Sequence, residues 1–365
     1  MSVAHDAGTS GVMRAMVLTG HGGLDRYHWH EDWPRPVPGP SEILIKIGAC
    51  GLNNTDVNTR VGWYSKAVTG ATGEENAAAA AADPSWGGKP LAFPRIQGAD
   101  AVGAVVAAGA EVDPALIGKR VMVDGWQRDW TDPENPDKAR YFGSELNGGF
   151  AEYTSVDHRG AAVVESPLSD AELATFSCSY TTAEGMLSRA SVGPSDTVLV
   201  PGASGGVGGA LVQLARLRGA RVIAMSGADK QEAVAALGAA RVLPRAPEDL
   251  AAALAGERID VVADVVGGPA WEGLIDSLAR GGRYVTSGAI AGPVVPLDLR
   301  TLYLRDLSFF GSTVVPPGTL QRIVALIEAG DLAPRLAATY PLAELREAQS
   351  AFIEKRHAGN IVVVP

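Results

Sequence analysis

A polar cluster stands out in the segment GACGLNNTDVNTRVGWY, residues 48–64, which follows the strand-like run EILIKIGAC. It brings Asn53, Asp56, Arg60 and Tyr64 close together in sequence. Amide and phenol groups can donate hydrogen bonds to an oxygen on which negative charge develops, and a phenol can also deliver a proton. We therefore take Asn53, Asp56 and Tyr64 as candidate catalytic residues. Asp56 and Arg60 could instead pair and brace the segment.

A glycine-rich turn lies between a strand and a helix in VLVPGASGGVGGALVQLA. A dinucleotide pyrophosphate needs close backbone approach, free N–H groups and the positive end of a helix, and such a turn supplies all three. The fingerprint reads Ala203-x-Gly205-x-x-Gly208, with alanine in the first glycine position. The candidate cofactor contacts here are Ala203, Ser204, Gly205, Gly206 and Val207.

The next strand ends in VIAMSGADKQ, where an NAD-specific site would usually hold an acid that binds the ribose hydroxyls. This chain has Ser226 there, and Lys230 follows closely. A small residue leaves room for a 2′-phosphate that the ammonium group would neutralise, so the pattern favours NADP(H). Asp229 is expected to cap a helix instead. Lys230 could also be a solvated helix residue.

These candidates need a scaffold, and residues 196–290 supply one by alternating apolar strands of four to seven residues with helices. This pattern predicts βαβ units in a doubly wound parallel sheet, an α/β fold. Ligands bind at the carboxyl ends of such strands. That rule assigns the loops 264–268 and 287–290 to the cofactor cleft, with Val266, Ser287 and Ala289 as contacts.

The first 160 residues carry short β-rich segments separated by turns, and Ser169 with Glu172 predicts a capping box at a helix start. The tail predicts one more helix and a final strand. Residues 65–95, rich in Ala, Gly and Pro, lack strand periodicity. They are either a flexible insertion or a lid over a site.

Bulk properties narrow the class of protein. A length of 365 residues predicts two domains, and a formal charge of −10 disfavours nucleic acid and anionic membranes as partners. The two cysteines, Cys50 and Cys178, rule out a disulfide framework. With no secretory signal and no apolar run long enough to cross a bilayer, we expect a cytoplasmic protein.

These segments together resemble the medium-chain dehydrogenase/reductase superfamily over residues 14–365, and most closely its zinc-free quinone oxidoreductase branch. The carrying segments are GACGLNNTD, IQGADAVGAVVAAGAEV, GGFAEYTSV, VLVPGASGGVG and GNIVVVP. The resemblance implies a GroES-like, β-rich catalytic domain over residues 1–165, completed by residues 312–365. It also implies a Rossmann NADP-binding domain over residues 166–311 and a homodimer joined through sheet edges.

Zinc-dependent relatives hold a catalytic metal at three positions, and two of them carry no ligand here. Asn53 replaces the cysteine, Ala99 replaces the histidine, and only Cys178 keeps a thiol. One thiolate cannot hold a zinc ion that needs three protein ligands, so we predict no metal. His28 and His30 share one face of a strand and could bind adventitious metal, but a partly exposed strand edge is the expected reading.

The resemblance also implies that Thr182 lies near the nicotinamide and that Asn360 contacts the cofactor, where relatives often have lysine. Asp100 is expected to be a structural acid, although it could assist catalysis. Asn58 departs from the tyrosine of quinone oxidoreductases. Together with the 65–95 insertion, that departure leaves the substrate open.

The expected activity is zinc-independent, NADPH-dependent transfer of hydride to an activated C=C bond, as in an enone, or to a quinone. Hydrogen bonds from Asn53 or Tyr64 would stabilise the developing oxyanion, and Tyr64 or water would supply the proton. One alternative is an NADP-dependent alcohol dehydrogenase or carbonyl reductase. Another is an NADPH-binding protein with a structural or regulatory role.

Overall fold

The computed structural model describes residues 11–73 and 90–365. The strands of these residues are β1 (Val12–Leu18), β2 (Tyr27–Pro34), β3 (Glu42–Gly51), β4 (Arg95–Ile96), β5 (Asp100–Ala108), β6 (Arg120–Val123), β7 (Trp126–Gln127), β8 (Arg140–Tyr141), β9 (Tyr153–Asp157), β10 (Ala161–Val163), β11 (Thr197–Val200), β12 (Arg221–Ser226), β13 (Arg241–Pro244), β14 (Ile259–Asp264), β15 (Leu278–Thr286), β16 (Ser308–Gly311), β17 (Leu336–Pro341) and β18 (Asn360–Val364).

The helices of the same residues are α1 (Asn54–Val61), α2 (Asp170–Leu173), α3 (Ser177–Arg189), α4 (Gly206–Leu217), α5 (Gln231–Ala235), α6 (Leu250–Ala253), α7 (Trp271–Ser277), α8 (Leu299–Leu304), α9 (Thr319–Glu328) and α10 (Leu345–Glu354). The capping box predicted at Ser169 and Glu172 is confirmed and opens α2. None of these helices is long and apolar enough to cross a bilayer.

The β-rich half is built on a seven-stranded sheet in which β3 is central, and it is closed by the end of the chain. Strand β18 runs antiparallel to β3, with Val363 opposite Cys50 and Val362 opposite Gly51. The tail therefore returns to the strand that leads into α1. The final helix and strand are confirmed, but β17, which pairs with β18, was missed by the sequence analysis.

Residues 197–311 form a six-stranded sheet in the order β13-β12-β11-β14-β15-β16, and every pairing in it is parallel. The α/β, doubly wound prediction is confirmed. The strand order reverses between β11 and β14, so their carboxyl ends open a crevice at the switch point. The exact boundaries at 165/166 and 311/312 stay a prediction.

Successive side chains of the parallel strands point to opposite faces of this sheet, and both faces are buried. Val198 and Val261 pack on one side with α4 and α9, whereas Leu199 and Val262 pack on the other side with α7. The first of these clusters also contains Met122 and Val362 from the β-rich half, so the two halves share a core around α3 and α4.

Asp229 does not cap a helix, which corrects the sequence prediction. It lies inside a 3₁₀ turn, Ala228–Lys230, and Lys230 occupies the N-cap position of α5 without a side-chain hydrogen bond to the amides of that helix. The short 3₁₀ turn replaces the first turn of the predicted helix, so Asp229 never reaches the N-terminal amides of α5.

Candidate active site

Asn53 is the N-cap residue of helix α1. Asn53 is extended, with φ −133° and ψ 163°, and its N–H donates to the Asp56 carboxylate at 2.8 Å. At the other end Gly62 has φ 70°, a left-handed conformation that ends the helix and that glycine adopts without strain. The helix is thus fixed at both ends, and Asn53 lies at its positive pole.

Asp56 and Arg60 brace the segment. Asp56 is 1% exposed, and its carboxylate accepts the backbone N–H groups of Asn53 and, at 3.2 Å, Gly98. Burial raises the pKa of Asp56 to about 7. Arg60 donates to Gln349 at 2.7 Å and so ties α1 to α10. The buried Asp56 carboxylate therefore fixes the backbone of Asn53 by accepting its N–H group.

The side chain of Asn53 is oriented by Asp100 at the start of β5. Asn53 Nδ2 donates to Asp100 Oδ2 at 2.9 Å, and the backbone N–H of Cys178 donates to Asp100 Oδ1 at 2.5 Å. Asp100 is fully buried, and this burial raises its pKa to about 7 despite the two hydrogen bonds. The structural role expected for Asp100 fits these contacts.

Cys178 opens helix α3 beside this pair, and its thiol has a partner that the sequence analysis missed. The Tyr141 hydroxyl donates to Cys178 Sγ at 3.2 Å. Burial raises the pKa of the Cys178 thiol well above its usual range. Thr182 is half-buried one helical turn further along α3, and its place near the nicotinamide stays a prediction.

Tyr64 and the described start of the 65–95 segment reach across to the nucleotide-binding half. Tyr64 is half-buried and its hydroxyl is 3.5 Å from Thr55 Oγ1. Tyr64 and Val68 belong to an apolar cluster with Ala289, and the Thr72 N–H donates to the Ile290 carbonyl at 2.9 Å. Residues 65–73 therefore span the cleft; residues 74–89 of the predicted insertion lie outside the described residues.

The glycine-rich turn has the geometry that the fingerprint predicts. Strand β11 ends at Val200, and α4 begins at Gly206 with Gly205 extended at its N-cap. A Cβ on Gly208 would lie 2.3 Å from the carbonyl oxygen of Gly202, so only glycine allows the helix to approach the turn this closely. The turn thus presents backbone amides at a helix N-terminus, the usual setting for a pyrophosphate.

The catalytic half supports this turn through Arg335, Gly359 and Asn360. The Arg335 guanidinium donates to the Gly205 carbonyl at 3.0 Å, and the Gly359 N–H donates to the Ser204 carbonyl at 3.0 Å. Asn360 Nδ2 donates to Ser179 Oγ at 3.3 Å, and Asn360 Oδ1 is buried without a hydrogen-bond partner among the described residues. An orphaned acceptor at this point fits a bound ligand that donates a hydrogen bond.

The end of β12 is more crowded than the sequence suggests. Ser226 is 1% exposed and its hydroxyl donates to the Gly227 carbonyl at 3.3 Å. Lys230 is not a solvated helix residue: it is 6% exposed and donates to the Lys355 carbonyl at 2.5 Å. Asp229 Oδ1 lies 2.8 Å, and an Arg245 nitrogen 3.4 Å, from the place where Gly227 would carry a Cβ.

The two predicted loops meet at the carboxyl edge of the sheet. Asp264 accepts the N–H groups of Val266, at 2.7 Å, and Gly267, and the Ala291 N–H donates to the Val266 carbonyl at 2.8 Å. Ala289 packs against Gly267. Val266 and Ala289 therefore stand side by side, with Ser287 directly after β15, as the strand-end rule predicts.

Comparisons with known proteins now decide the family. The family model for the alcohol dehydrogenase GroES-like domain matches residues 39–167, and that for zinc-binding dehydrogenase matches residues 206–329. A crystal structure of a Sinorhizobium meliloti 1021 protein, provisionally named an alcohol dehydrogenase, is similar to this chain. The two sequences are 45% identical, the match covers 98% of each chain, and the structures superpose with a TM-score of 0.89. The chain belongs to the medium-chain dehydrogenase/reductase superfamily.

Other members of the superfamily show the range of named activities. Human quinone oxidoreductase is 26% identical over 97% of this chain and 98% of its own. The NAD-dependent alcohol dehydrogenase of Sulfurisphaera tokodaii is 27% identical over 92% of this chain and 96% of its own. A 2-octenoyl-CoA carboxylase reductase, solved with NADP and 2-octenoyl-CoA, is 26% identical over 99% and 89% of the two chains, with a TM-score of 0.83.

A medium-chain dehydrogenase/reductase with a catalytic zinc would need three protein ligands, and the residues described here do not provide them. In residues 11–73 and 90–365 no group of three or more His, Cys, Asp or Glu side chains is arranged so that it could hold a metal ion. The Cys178 thiol accepts a hydrogen bond from the Tyr141 hydroxyl. Asp100 is engaged on both oxygens. This donor set does not fit zinc.

His28 and His30 lie on β2, which among the residues that the structure describes pairs with β1 alone. His28 is exposed and His30 half-buried, so the partly exposed strand edge expected for this pair is confirmed.

Proposed function

We propose that this oxidoreductase transfers hydride from NADPH to a C=C bond conjugated to a carbonyl, or to a quinone, without zinc. One observation carries the proposal: Asn53, a neutral donor fixed by Asp100, occupies the centre of a site whose side chains do not fit a metal. Such a site cannot polarise an isolated ketone as a Lewis acid does. It suits acceptors that are already activated toward hydride.

The residues that would hold the dinucleotide come from both halves of the chain. The turn amides of residues 204–208 would receive the pyrophosphate, and the orphaned Asn360 Oδ1 would accept a hydrogen bond from the bound cofactor. Thr182 and Ala289 would flank the nicotinamide. When bound, the reduced nicotinamide supplies a hydride.

The protein's own part is to stabilise charge on the acceptor. After hydride reaches the β-carbon, the electron pair of the C=C bond moves toward the carbonyl, whose oxygen becomes negative. One N–H of the Asn53 amide is held by Asp100, which leaves the other for this oxygen. Tyr64 or water then returns a proton to the α-carbon.

NADP is the proposed cofactor because a small residue, Ser226, ends β12, with Lys230 a few residues later and the Arg245 guanidinium, which follows β13, beside Gly227. Asp229 is the residue that would favour NAD, since its carboxylate stands beside Gly227 and could accept the ribose hydroxyls. The substitution Asp229→Asn separates the two readings. If NADP is the cofactor, we expect tighter NADPH binding because a repulsive charge is removed; if NAD is, NADH binding should weaken.

The activity test is a panel of enones, quinones and enoyl thioesters assayed with saturating NADPH and, separately, with NADH. We expect consumption of the reduced dinucleotide with at least one conjugated acceptor. No turnover of any panel member would overturn the proposal.

A second candidate is an NADP-dependent alcohol dehydrogenase or carbonyl reductase, favoured by the alcohol dehydrogenase names of several relatives. It predicts alcohol-dependent reduction of NADP⁺. A zinc-dependent form also requires about one zinc per chain by elemental analysis, because a catalytic site holds one ion.

We also propose a homodimer. Strand β16 is an edge strand of the six-stranded sheet, and exposed apolar side chains gather on the preceding segment: Val294, Leu299, Tyr303 and Leu304. Light scattering of the purified protein should give the mass of two chains, and Tyr303→Lys with Leu304→Lys should give one. A cytoplasmic location stays a prediction.

A further inference from the structure

A pair of aromatic side chains lies in the segment 124–152, which connects β6 to β9. Strands β7 and β8 of this segment run antiparallel, with Trp126 opposite Tyr141. The two rings meet edge to face, and their centroids are 4.9 Å apart. A Cβ on Gly125 would lie 3.1 Å from the Tyr141 ring and 3.3 Å from its hydroxyl oxygen, so glycine leaves the room that the phenol occupies. The Tyr141 ring is therefore held in one place by the segment itself.

The Tyr141 side chain lies against residues of the candidate active site. It is 6% exposed and belongs to a buried apolar cluster with Ala99 and Val315, against which the Cys178 side chain packs. Ala99 and Cys178 occupy two of the three positions that carry the metal ligands in zinc-dependent relatives. The connecting segment thus places a phenol between two positions that belong to the reaction centre.

A chain of hydrogen bonds joins this phenol to Asn53. The Tyr141 hydroxyl donates to Cys178 Sγ at 3.2 Å, and the Cys178 N–H donates to Asp100 Oδ1 at 2.5 Å. The other carboxylate oxygen of Asp100 accepts a hydrogen bond from Asn53 Nδ2 at 2.9 Å. Asp100 and Cys178 therefore support two neutral donors, the Asn53 amide and the Tyr141 phenol, in one network.

The chemistry of the Tyr141 hydroxyl suits donation to a substrate oxygen. A phenol has an ordinary pKa of about 10, so it carries its proton at neutral pH. A thiol sulfur is a weak acceptor, whereas an oxyanion forms a short and strong charge-assisted hydrogen bond. Rotation about the bond between the ring and the oxygen redirects the hydrogen while the ring stays packed against Trp126. A phenylalanine would pack there equally well, so the hydroxyl adds a donor and not a packing contact.

We propose that the Tyr141 hydroxyl is a second hydrogen-bond donor to the acceptor's carbonyl oxygen, beside the Asn53 amide. As hydride adds to the β-carbon, the electron pair of the C=C bond moves toward this oxygen. The hydroxyl hydrogen then turns from Cys178 Sγ to the oxygen, and no covalent bond of the phenol breaks. The acceptor's carbonyl accordingly lies next to Cys178, between the two donors. This inference rests on the proposed function, since it requires a conjugated acceptor in the cleft.

The test compares Tyr141→Phe with the wild type, using a conjugated acceptor that the wild type reduces. An oxyanion donor acts in the transition state, so kcat should fall by about 100-fold, as for the loss of one such donor. The dissociation constant for NADPH should stay within about twofold, because the hydroxyl does not contact the cofactor in this mechanism. Tyr153→Phe is the matched control: its ring is half-buried on β9, 5.3 Å from the Arg35 guanidinium, and kcat should stay within about twofold.

The same substitution in an Asn53→Ala background separates a donor from a mere support. If Tyr141 acted only by holding the chain that orients Asn53, its hydroxyl would have no further effect once the Asn53 side chain is gone. As a donor in its own right, Tyr141 should still contribute there. We expect Tyr141→Phe to lower the single-turnover rate of NADPH oxidation by a further 10-fold, approximately, in that background.

Three results would overturn the inference. The first is a kcat for Tyr141→Phe within about threefold of the wild type, a change smaller than one neutral hydrogen bond gives. The second is no additional loss in the Asn53→Ala background. The third is a cofactor-free Tyr141→Phe protein that unfolds far below the wild-type temperature or binds NADPH more weakly, since the hydroxyl would then maintain the structure. A wild type that reduces no conjugated acceptor would instead overturn the proposed function.

Discussion

The two walls of the cleft are built in different ways. The nucleotide wall is a main-chain structure: the amides of one continuous turn, residues 203–208, stand at the start of α4. The catalytic wall is a side-chain network: Asn53, Asp100, Cys178 and Tyr141 come from four separate elements. Their hydrogen bonds join residues 37 to 78 positions apart in the sequence.

This difference sets how each wall handles charge. The turn attracts an anion through amide dipoles that need no titratable group. The catalytic wall instead buries two carboxylates, Asp56 and Asp100, and burial raises the pKa of each to about 7. One wall therefore depends on backbone geometry, and the other depends on protonation and side-chain position.

The largest effect on cofactor affinity is expected from a substitution in the nucleotide wall at Gly208. In Gly208→Ala the new Cβ would lie 2.3 Å from the Gly202 carbonyl oxygen, so the turn must shift. Loss of about two hydrogen bonds from the turn amides to the charged pyrophosphate should weaken dinucleotide binding by about 100-fold. Titration calorimetry with NADPH measures the change.

Gly205→Ala is the control for the fold of this turn, since its Cβ would meet nothing nearer than the Gly202 carbonyl at 3.6 Å. We expect the cofactor-free Gly205→Ala protein to unfold near the wild-type temperature, and Gly208→Ala to unfold below it. Wild-type affinity in Gly208→Ala would contradict the account of the turn.

The second-largest effect is expected from a substitution in the catalytic wall. Asn53→Ala removes the neutral donor and one of the two hydrogen bonds to Asp100. If Asn53 stabilises the developing oxyanion, kcat with a conjugated acceptor should fall by about 100-fold, while the NADPH dissociation constant stays within about twofold. Steady-state kinetics and calorimetry separate the two quantities. An equal loss in both would place Asn53 in the cofactor site instead.

The same contrast explains what the sequence could predict. The parallel sheet, the turn and the strand-end loops follow from local patterns: apolar runs, glycine spacing and strand–helix alternation. The loss of metal ligands at Asn53 and Ala99 could also be read from aligned motifs. All of these signals lie within short segments, where neighbours in sequence are neighbours in space.

Tyr141, Arg335 and Lys355 could not be predicted in this way. Each acts on a partner far away in sequence: Tyr141 on Cys178, Arg335 on Gly205, and Lys355 on Asn54. Nothing local distinguishes them from ordinary surface residues. The helix cap predicted at Asp229 was wrong for a related reason, because a 3₁₀ turn replaces the first turn of the expected helix.

A smaller effect concerns pH. An aspartate titrates near 3.9 when unfolded, whereas the pKa of Asp100 is about 7 when folded. Between these values the folded state holds the extra proton, so the free energy of unfolding is highest below about pH 4 and falls as pH rises through about 7. In Asp100→Asn this fall should become shallower, because Asp56, Asp124 and Asp264, whose pKa values burial also raises, still contribute whereas Asp100 does not.

Urea unfolding at about pH 5 and about pH 6.5, both inside this window, measures the slope. The expected difference between wild type and variant is on the order of 1 kcal/mol per pH unit inside that window. Asp25→Asn, at a side chain that is 77% exposed, is the control and should leave the slope unchanged. An identical slope in Asp100→Asn would mean that Asp100 is ionised in the folded protein.

The smallest effect is expected at Tyr64, where the two walls meet. Its hydroxyl is 3.5 Å from Thr55 Oγ1, a long contact, and its ring packs in a cluster that includes Ala289 of the nucleotide wall. Tyr64→Phe keeps the ring and removes only the hydroxyl, so kcat should fall about threefold to tenfold, as for one neutral hydrogen bond. Tyr64→Ala also removes the packing across the cleft and should raise KM as well. A loss of about 100-fold or more in kcat for Tyr64→Phe is instead expected if Tyr64 is an obligatory general acid. In that case water could not replace the phenol, and the catalytic wall would supply the proton as well as stabilise the negative charge on the acceptor.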